Sequence, residues 1–251
     1  MSSYEGLAGQ YDAFTGDVPY GKFADLYEHI FSTREKTPRV LLDLACGTGT
    51  LACEMSKRGY ELIAVDGSAD MLSEVMEKFY DVPDCVPPVL LCQSMQELDL
   101  YGTVDAVYSS LDSFNYLPPE DIPEVLRRLA LFTEPGGLLI FDVNTPERFR
   151  SLDGQVFVDE KENALCLWRA EFDKEENLIR YGMDIFQRRG RLWEREQEEH
   201  IEYAHSEEFL RAALTEAGFY DIEVIRNGPQ SEFGRIFFVS VNSGKGMKNN
   251  G

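Results

Sequence analysis

Two rhythms of apolar residues divide the chain. Across residues 39–144, short apolar runs of strand length alternate with segments in which apolar side chains return every three or four residues. The runs are Val40–Leu44, 61–65, Val89–Cys92, Val104–Ser109 and 138–144. Near-continuous apolar character suits strands covered on both faces, as in a parallel sheet. The segments between, such as 51–58 and 120–132, carry the period of an amphipathic helix. Gly59 closes the first of these, as a helix C-terminus prefers, and Ser68 is placed to cap the next. Upstream, Tyr4, Leu7, Ala8 and Tyr11 repeat at helical spacing. Pro19 then opens a second helix carrying Phe23, Leu26, Tyr27, Ile30 and Phe31. From residue 151 to 203 the rhythm becomes alternation of apolar and polar residues. Segments 156–161, Ala164–Asp173, 178–187 and Leu192–Tyr203 are separated by turn signals such as Glu175-Glu176-Asn177 and Arg189-Gly190-Arg191. This predicts a small inserted antiparallel sheet. A capped helix over 206–217 follows, and strands 221–226 and 235–241 close the pattern.

The chemistry is organised around the end of the first strand, Asp43-Leu44-Ala45-Cys46-Gly47-Thr48-Gly49-Thr50. A strand, a glycine turn and a helix start form a nucleotide site for physical reasons. Glycine lets the backbone take φ > 0 and approach a ligand closely, and the helix start presents unpaired N–H groups. Gly47, Gly49 and Ala52 formally satisfy the G-x-G-x-x-G/A pattern of dinucleotide sites. Asp43 points the other way: an acid so close suits a ligand bearing an ammonium group and repels a pyrophosphate. Asp66 ends the second strand about 20 residues beyond the turn, placed to accept both hydroxyls of a ribose. That feature supports a nucleoside without choosing between the two classes.

Asp43-x-Ala45-x-Gly47-x-Gly49 resembles the first motif of class I S-adenosylmethionine (SAM)-dependent methyltransferases, with Ala45 where a glycine commonly sits. The resemblance continues in order and spacing over residues 36–147. Ser68-x-x-Met71-Leu72 is similar to the segment whose Met packs on adenine. Ser94-Met95-x-x-Leu98 stands where the family usually has D-M-x-x-L; Ser94 replaces the acid and offers only a weaker, uncharged acceptor. Residues 105–117, with Asp112-Ser113-Phe114-Asn115-Tyr116-Leu117, resemble the motif flanking the transferable methyl. The run Pro135-Gly136-Gly137-x-Leu139-Ile140-Phe141-Asp142 is frequent in this family and not in dehydrogenases. Tyr11-Asp12, followed by Tyr20, resembles the N-terminal segment that covers the SAM pocket in small-molecule methyltransferases.

Charge and cysteine usage then narrow the partners. The 251 residues carry a formal charge of -21, which repels phosphate backbones, so nucleic acid is disfavoured. The tight basic cluster Arg188-Arg189-Gly190-Arg191 is followed by glutamates and reads as a solvated hairpin tip. No apolar run reaches membrane-spanning length and no signal peptide is visible. The five cysteines (Cys46, Cys53, Cys85, Cys92, Cys166) are scattered and lack C-x-x-C spacing. Reduced thiols in a cytoplasm are expected, with no metal site. Cys46 reads as a small residue fitting the turn, not a nucleophile.

The resemblance therefore implies an α/β, Rossmann-like fold: a seven-stranded, mostly parallel sheet with helices on both faces, its last strand antiparallel. The expected divisions are a helical N-terminal cover (1–34), the SAM-binding domain (35–150 and 206–242), the inserted antiparallel sheet over the substrate (151–205), and a disordered tail (243–251). It implies cofactor contacts from Asp43, Ala45, Cys46, Gly47 and Gly49 in the turn. Asp66 holds the ribose, with Gly67 a further cofactor contact; Met71, Ser94 and Met95 flank adenine. Leu111 and Asp112 approach the methyl, and Tyr11 and Tyr20 cover the pocket. Candidates for a general base are Tyr11, Asp112 and His200, none of them singled out. The expected activity is methyl transfer from SAM, yielding S-adenosylhomocysteine, to a nitrogen or oxygen of a small molecule, by a monomer or homodimer. The alternatives are methylation of RNA or protein, or non-catalytic SAM binding.

Overall fold

The computed structural model describes residues 12, 15–81 and 85–244. Tyr11, the helix expected over residues 4–11 and most of the tail lie outside them. The apolar runs form strands β1 (Val40–Leu44), β2 (Glu61–Asp66), β3 (Val89–Cys92), β4 (Val104–Ser109) and β5 (Thr133–Asn144). Two later strands, β10 (Phe219–Ile225) and β11 (Arg235–Asn242), join them in one sheet of order β3-β2-β1-β4-β5-β11-β10. β1 to β5 pair in parallel, and β11 runs antiparallel between β5 and β10. This is a doubly wound, Rossmann-like sheet.

Two apolar layers cover it, which explains why the central strands lack polar alternation. On one face, α1 (Tyr20–Ser32), α2 (Thr50–Lys57) and α3 (Ala69–Asp81) bury Phe23, Tyr27, Met55 and Val75 against Leu41, Tyr108 and Ile140. On the other, α4 (Ile122–Phe132) and α6 (Glu207–Ala217) pack Leu126, Leu129, Leu210 and Leu214 against Val107, Phe141 and Phe238. The helix begun at Pro19, expected to act as a cover, is mainly a member of the first layer. The Tyr27 hydroxyl reaches Ser110 beyond β4 at 2.6 Å, and only Tyr20 at its start reaches the site described below.

β5 starts at Thr133, five residues ahead of the expected 138. The Pro135-Gly136-Gly137 run is a bulge within the strand: Val104 pairs with Thr133 and Ala106 already with Leu138. Gly137 is required there, because a Cβ would lie 2.7 Å from the Asp105 carbonyl oxygen.

Between β5 and the inserted sheet lies a helix that hydropathy did not announce, α5 (Pro146–Leu152). Its signal was local: Thr145 accepts from Arg148 N at 3.3 Å as N-cap, and Pro146 holds the first position. Strands β6 (Val156–Glu160), β7 (Ala164–Asp173), β8 (Leu178–Arg189) and β9 (Leu192–Tyr203) then form a separate antiparallel sheet in that order. Phe149 and Leu152 of α5 pack with Ala170, Phe172 and Ile179, which seats this sheet at the carboxyl edge of the first. Among the described residues no helix is long and apolar enough to cross a membrane.

Candidate functional site

A cavity of about 420 Å³ opens at the carboxyl ends of β1, β2 and β4, where open α/β sheets hold ligands. Its floor is the turn after β1. Ala45, Gly47 and Gly49 all take left-handed backbone, with φ of 58°, 55° and 72°. This explains why a glycine is common at the Ala45 position: an alanine there costs on the order of 1 kcal/mol. Backbone bonds fix the turn to β2, with Cys46 N donating to the Val65 carbonyl at 3.0 Å.

Asp66 completes the cradle. One carboxylate oxygen accepts from Gly47 N at 2.9 Å, the other from Ser68 N at 2.8 Å. The acid that closes β2 therefore ties the glycine turn to the start of α3. Burial raises its pKa and the two backbone donors oppose that shift. Each oxygen keeps a further acceptor site for a ligand hydroxyl.

Asp43 lies at the end of β1 with 2% of its surface exposed. Burial pushes its pKa up to about 8; the Tyr108 hydroxyl nearby works against the shift, and the charge of Asp66 adds to it. Its Oδ2 has no hydrogen-bond partner among the described residues. A buried, half-satisfied carboxyl on a cavity wall is a place for a cationic group.

Of the residues expected at the cofactor, Tyr20, Asp43, Ala45, Cys46, Gly47 and Asp66 line this cavity. So do Gly67, Met71, Ser94, Met95 and Leu111. Gly49 does not. A Cβ there would meet Val75 Cγ1 at 2.8 Å, so this glycine is needed for close packing of the turn on α3. Cys46 is a wall residue whose thiol pKa burial pushes well above its ordinary value, which makes it a poor nucleophile at neutral pH. Ser94 donates to Glu97 at 3.0 Å, so its hydroxyl is already engaged. Asp12 belongs to the Tyr11-Asp12 segment and clamps the turn from outside. Thr48 donates to it at 2.6 Å, and Lys78 pairs with it at 2.7 Å.

A second cavity, of about 380 Å³, adjoins the first and shares Leu111 and Tyr116 with it. The inserted sheet forms one side through Phe157, Trp168, Tyr181 and Glu202. The main sheet supplies Asp112, Asn144 and Arg235, and α5 supplies Arg148. Asp112 was expected beside the first cavity with Leu111; its side chain lines the second instead. The reason is the turn after β4. Leu111 and Asp112 both take left-handed backbone, with φ of 59° and 56°, each a strained choice for a side-chain-bearing residue. Asp142 holds them there, accepting from Leu111 N at 2.9 Å and Asp112 N at 2.8 Å. Arg235 ion-pairs with Asp142 and lies 3.4 Å from Asp112. Burial raises the Asp142 pKa against the pull of Arg235. Burial also opposes the charge on Arg235, yet Asp112 and Asp142 more than offset it and hold that pKa up.

His200 lines neither cavity. It is buried, 3.0 Å from Glu198 and edge-on to the Tyr116 ring. As a general base at the site it is therefore set aside. The acid the alternation did not single out, Glu202, sits two residues further along β9 and reaches the second cavity. Burial, then the charge of Asp112, raises its pKa well above the carboxylate range; Tyr116 and Asn144 hydrogen-bond to it. Among the described residues no cluster of His, Cys, Asp or Glu has the grouping of a metal site.

The first cavity thus presents a buried carboxyl with an unpartnered oxygen at Asp43, a second carboxylate held by two backbone donors at Asp66, and the apolar side chains of Met71 and Met95. Known proteins share this architecture. Residues 41–137 match a family model described as a methyltransferase domain. The chain is 28% identical over 247 residues to YqeM of Bacillus subtilis (strain 168), which carries a provisional methyltransferase name; the match covers 96% of this chain and 97% of that protein. It superposes with a TM-score of 0.82 on a crystal structure of an S-adenosylmethionine-dependent methyltransferase from Clostridium acetobutylicum ATCC 824, at 28% identity over 95% of this chain and 98% of that one. It is also 30% identical over 161 residues to dTDP-3-amino-3,4,6-trideoxy-alpha-D-glucopyranose N,N-dimethyltransferase of Streptomyces venezuelae, covering 62% of this chain and 60% of that enzyme.

Proposed function

We propose that the chain is a class I SAM-dependent methyltransferase and that it methylates a nitrogen or oxygen of a small molecule held in the second cavity. The observation that carries this reading is the junction: two cavities of similar size share, among the described residues, only Leu111 and Tyr116. One has the groups for the cofactor, and the other is walled by aromatic rings and polar side chains. A cavity of about 380 Å³ fits a small molecule. The acidic surface offers no support for a nucleic acid substrate.

SAM, when bound, supplies an activated sulfonium methyl, so what is asked of the chain is placement and an unprotonated nucleophile. Asp66 would hold the ribose, and Asp43 would face the ammonium. Met71, Ser94 and Met95 would flank the adenine. Leu111 and Tyr116 would stand where cofactor and acceptor meet. The strained turn at Leu111 and Asp112, braced by Asp142 and Arg235, fixes that meeting point.

The test is calorimetric titration with S-adenosylhomocysteine, with NAD as control, followed by a screen for transfer of labelled methyl to small amines and alcohols. Binding of S-adenosylhomocysteine alone, with turnover on a small acceptor, is expected. Binding of NAD alone overturns the reading of the cavity. Turnover only on RNA or protein overturns the small-molecule assignment.

A further inference from the structure

We propose that the second cavity is a binding site for an amine on a ring-bearing small molecule, and that Glu202 is the residue that reads the amine. The inference rests on the reading of this cavity as the acceptor site and adds the chemistry of the group it takes.

Four observations carry it. Glu202 is 5% exposed, lines the cavity, and its Oε2 has no hydrogen-bond partner among the described residues. A buried carboxyl left partly unsatisfied is costly unless a ligand completes it. Trp168 and Tyr181 meet edge to face at an interplanar angle of 84°, forming a corner of two aromatic walls on the same cavity. Such a corner suits a cation or an apolar ring.

The inner end of the cavity also holds more carboxyl groups than cations. Arg235 is matched by Asp142 and Asp112 together, so Glu202 adds a third acid to a single buried arginine. The groups that face Glu202 are Tyr116 from the turn after β4, Asn144 from the end of β5, Asp112, Arg235 from β11 and Tyr181 from β8. His200 lies two residues away on β9 and pairs with Glu198. Arg148 is the other cation on the cavity wall, and an anionic ligand is therefore the rival to be tested.

The protonation of Glu202 gives the site a use. Burial favours the neutral carboxylic acid in the empty cavity. A free amine arrives as an ammonium, which has no lone pair to donate. When ammonium and carboxylic acid share one buried contact, one proton leaves to solvent. What remains is either an ammonium on a carboxylate or a neutral amine accepting from the acid. Both forms hold one proton fewer than the separated partners. In the second form the amine has given up the proton that blocks methylation and carries the lone pair, and Tyr116, which lines both cavities, stands beside it at the junction.

The probes are tyramine, its hydroxyl analogue 4-(2-hydroxyethyl)phenol, and 4-hydroxyphenylacetate. Each is titrated calorimetrically at pH 7 in buffers of different ionisation enthalpy, with and without saturating S-adenosylhomocysteine. Tyramine is expected to bind at least tenfold more tightly than the other two, releasing close to one proton per amine bound. In Glu202→Gln the release should vanish and tyramine affinity should fall tenfold or more, with S-adenosylhomocysteine affinity within twofold of wild type. Equal binding of the hydroxyl analogue, tighter binding of the carboxylate, or tyramine binding without proton release overturns the proposal. Proton release is read on the unmodified chain, so a variant that fails to fold does not decide the question. Failure of S-adenosylhomocysteine to bind while tyramine still binds refutes the reading of the first cavity alone.

Discussion

Replacing Asp43 with Asn separates what the fold would prefer from what the ligand needs. The Asp43 carboxyl is almost wholly buried and titrates at about 8, against 3.8 for an ordinary aspartate. A carboxyl whose pKa is higher in the folded chain than in the unfolded one leaves stability intact below the unfolded value. The loss grows as pH rises through the window from about 4 to about 8, and is constant above it. At about 1.4 kcal/mol per unit, the ionised carboxyl costs about 6 kcal/mol above pH 8, about 4 kcal/mol at pH 7 and under about 2 kcal/mol at pH 5. Asparagine cannot ionise, and its buried amide costs about 1–3 kcal/mol where it finds no partner. The expected net effect of Asp43→Asn is therefore a gain of about 3 kcal/mol or more at pH 8 that disappears near pH 5. For a chain of this size that is a rise in Tm of about 6–12 °C at pH 8. Thermal melts of both proteins from pH 5 to 8.5 measure it. Titration with S-adenosylhomocysteine measures the other half: wild-type affinity should climb by up to tenfold per pH unit between 6 and 8 as an ammonium stabilises the carboxylate, and the variant should be weaker and flat. A Tm difference that does not change with pH would refute the assignment of a neutral, ligand-seeking Asp43.

Three further outcomes follow from the geometry. Gly49→Ala places a Cβ 2.8 Å from Val75 on a backbone with φ of 72° and should cost about 2–3 kcal/mol in denaturant unfolding. Adding Val75→Ala should relieve its clash component, and strict additivity of the two changes would show that the two sites do not touch. Arg235→Met leaves Asp142 buried without its cation and should lose about 3–5 kcal/mol at pH 7. Because Asp142 can then take up a proton, the deficit should shrink as pH falls; a deficit that widens in acid would sink the pairing argument. Asp66→Ala should weaken S-adenosylhomocysteine binding and also lose about 2 kcal/mol of stability, since two backbone donors lose their carboxylate. Unchanged affinity in that variant would remove Asp66 from the ribose.

The order of strands and helices was legible because each element buries its apolar side locally. The four alternating segments after residue 151 could be read as an antiparallel sheet for the same reason, since a half-covered strand shows its two faces in its pattern. That the glycine turn, Asp43 and Asp66 line one cavity was legible because they lie at the ends of adjacent strands in neighbouring strand-turn-helix units. The helix at Pro146–Leu152 was missed although Thr145 and Pro146 mark its start; a seven-residue helix is too short for periodicity to show. The packing demand on Gly49 was not legible, because a glycine required by Val75, 26 positions away, looks the same in sequence as one required by a ligand.

What the sequence by itself determined is the doubly wound sheet, the inserted antiparallel sheet, and a first cavity built from neighbouring motifs. The second cavity was decided only by tertiary structure. Its polar groups, Asp112, Asn144, Arg148, Glu202 and Arg235, come from five separate elements spread over more than 120 residues. Apart from Asp112, which lies in a recognisable motif, none of them stands in a stretch that marks it as part of a site. Asp142 shows the difference most plainly. In sequence it is an acid interrupting an apolar strand, which counts against burial. In the fold it is fully buried, because Arg235 from an antiparallel neighbour and the two strained backbone amides after β4 satisfy it together. Local propensity cannot report such a site, since the free energy that holds it comes from contacts between residues 93 and about 30 positions apart.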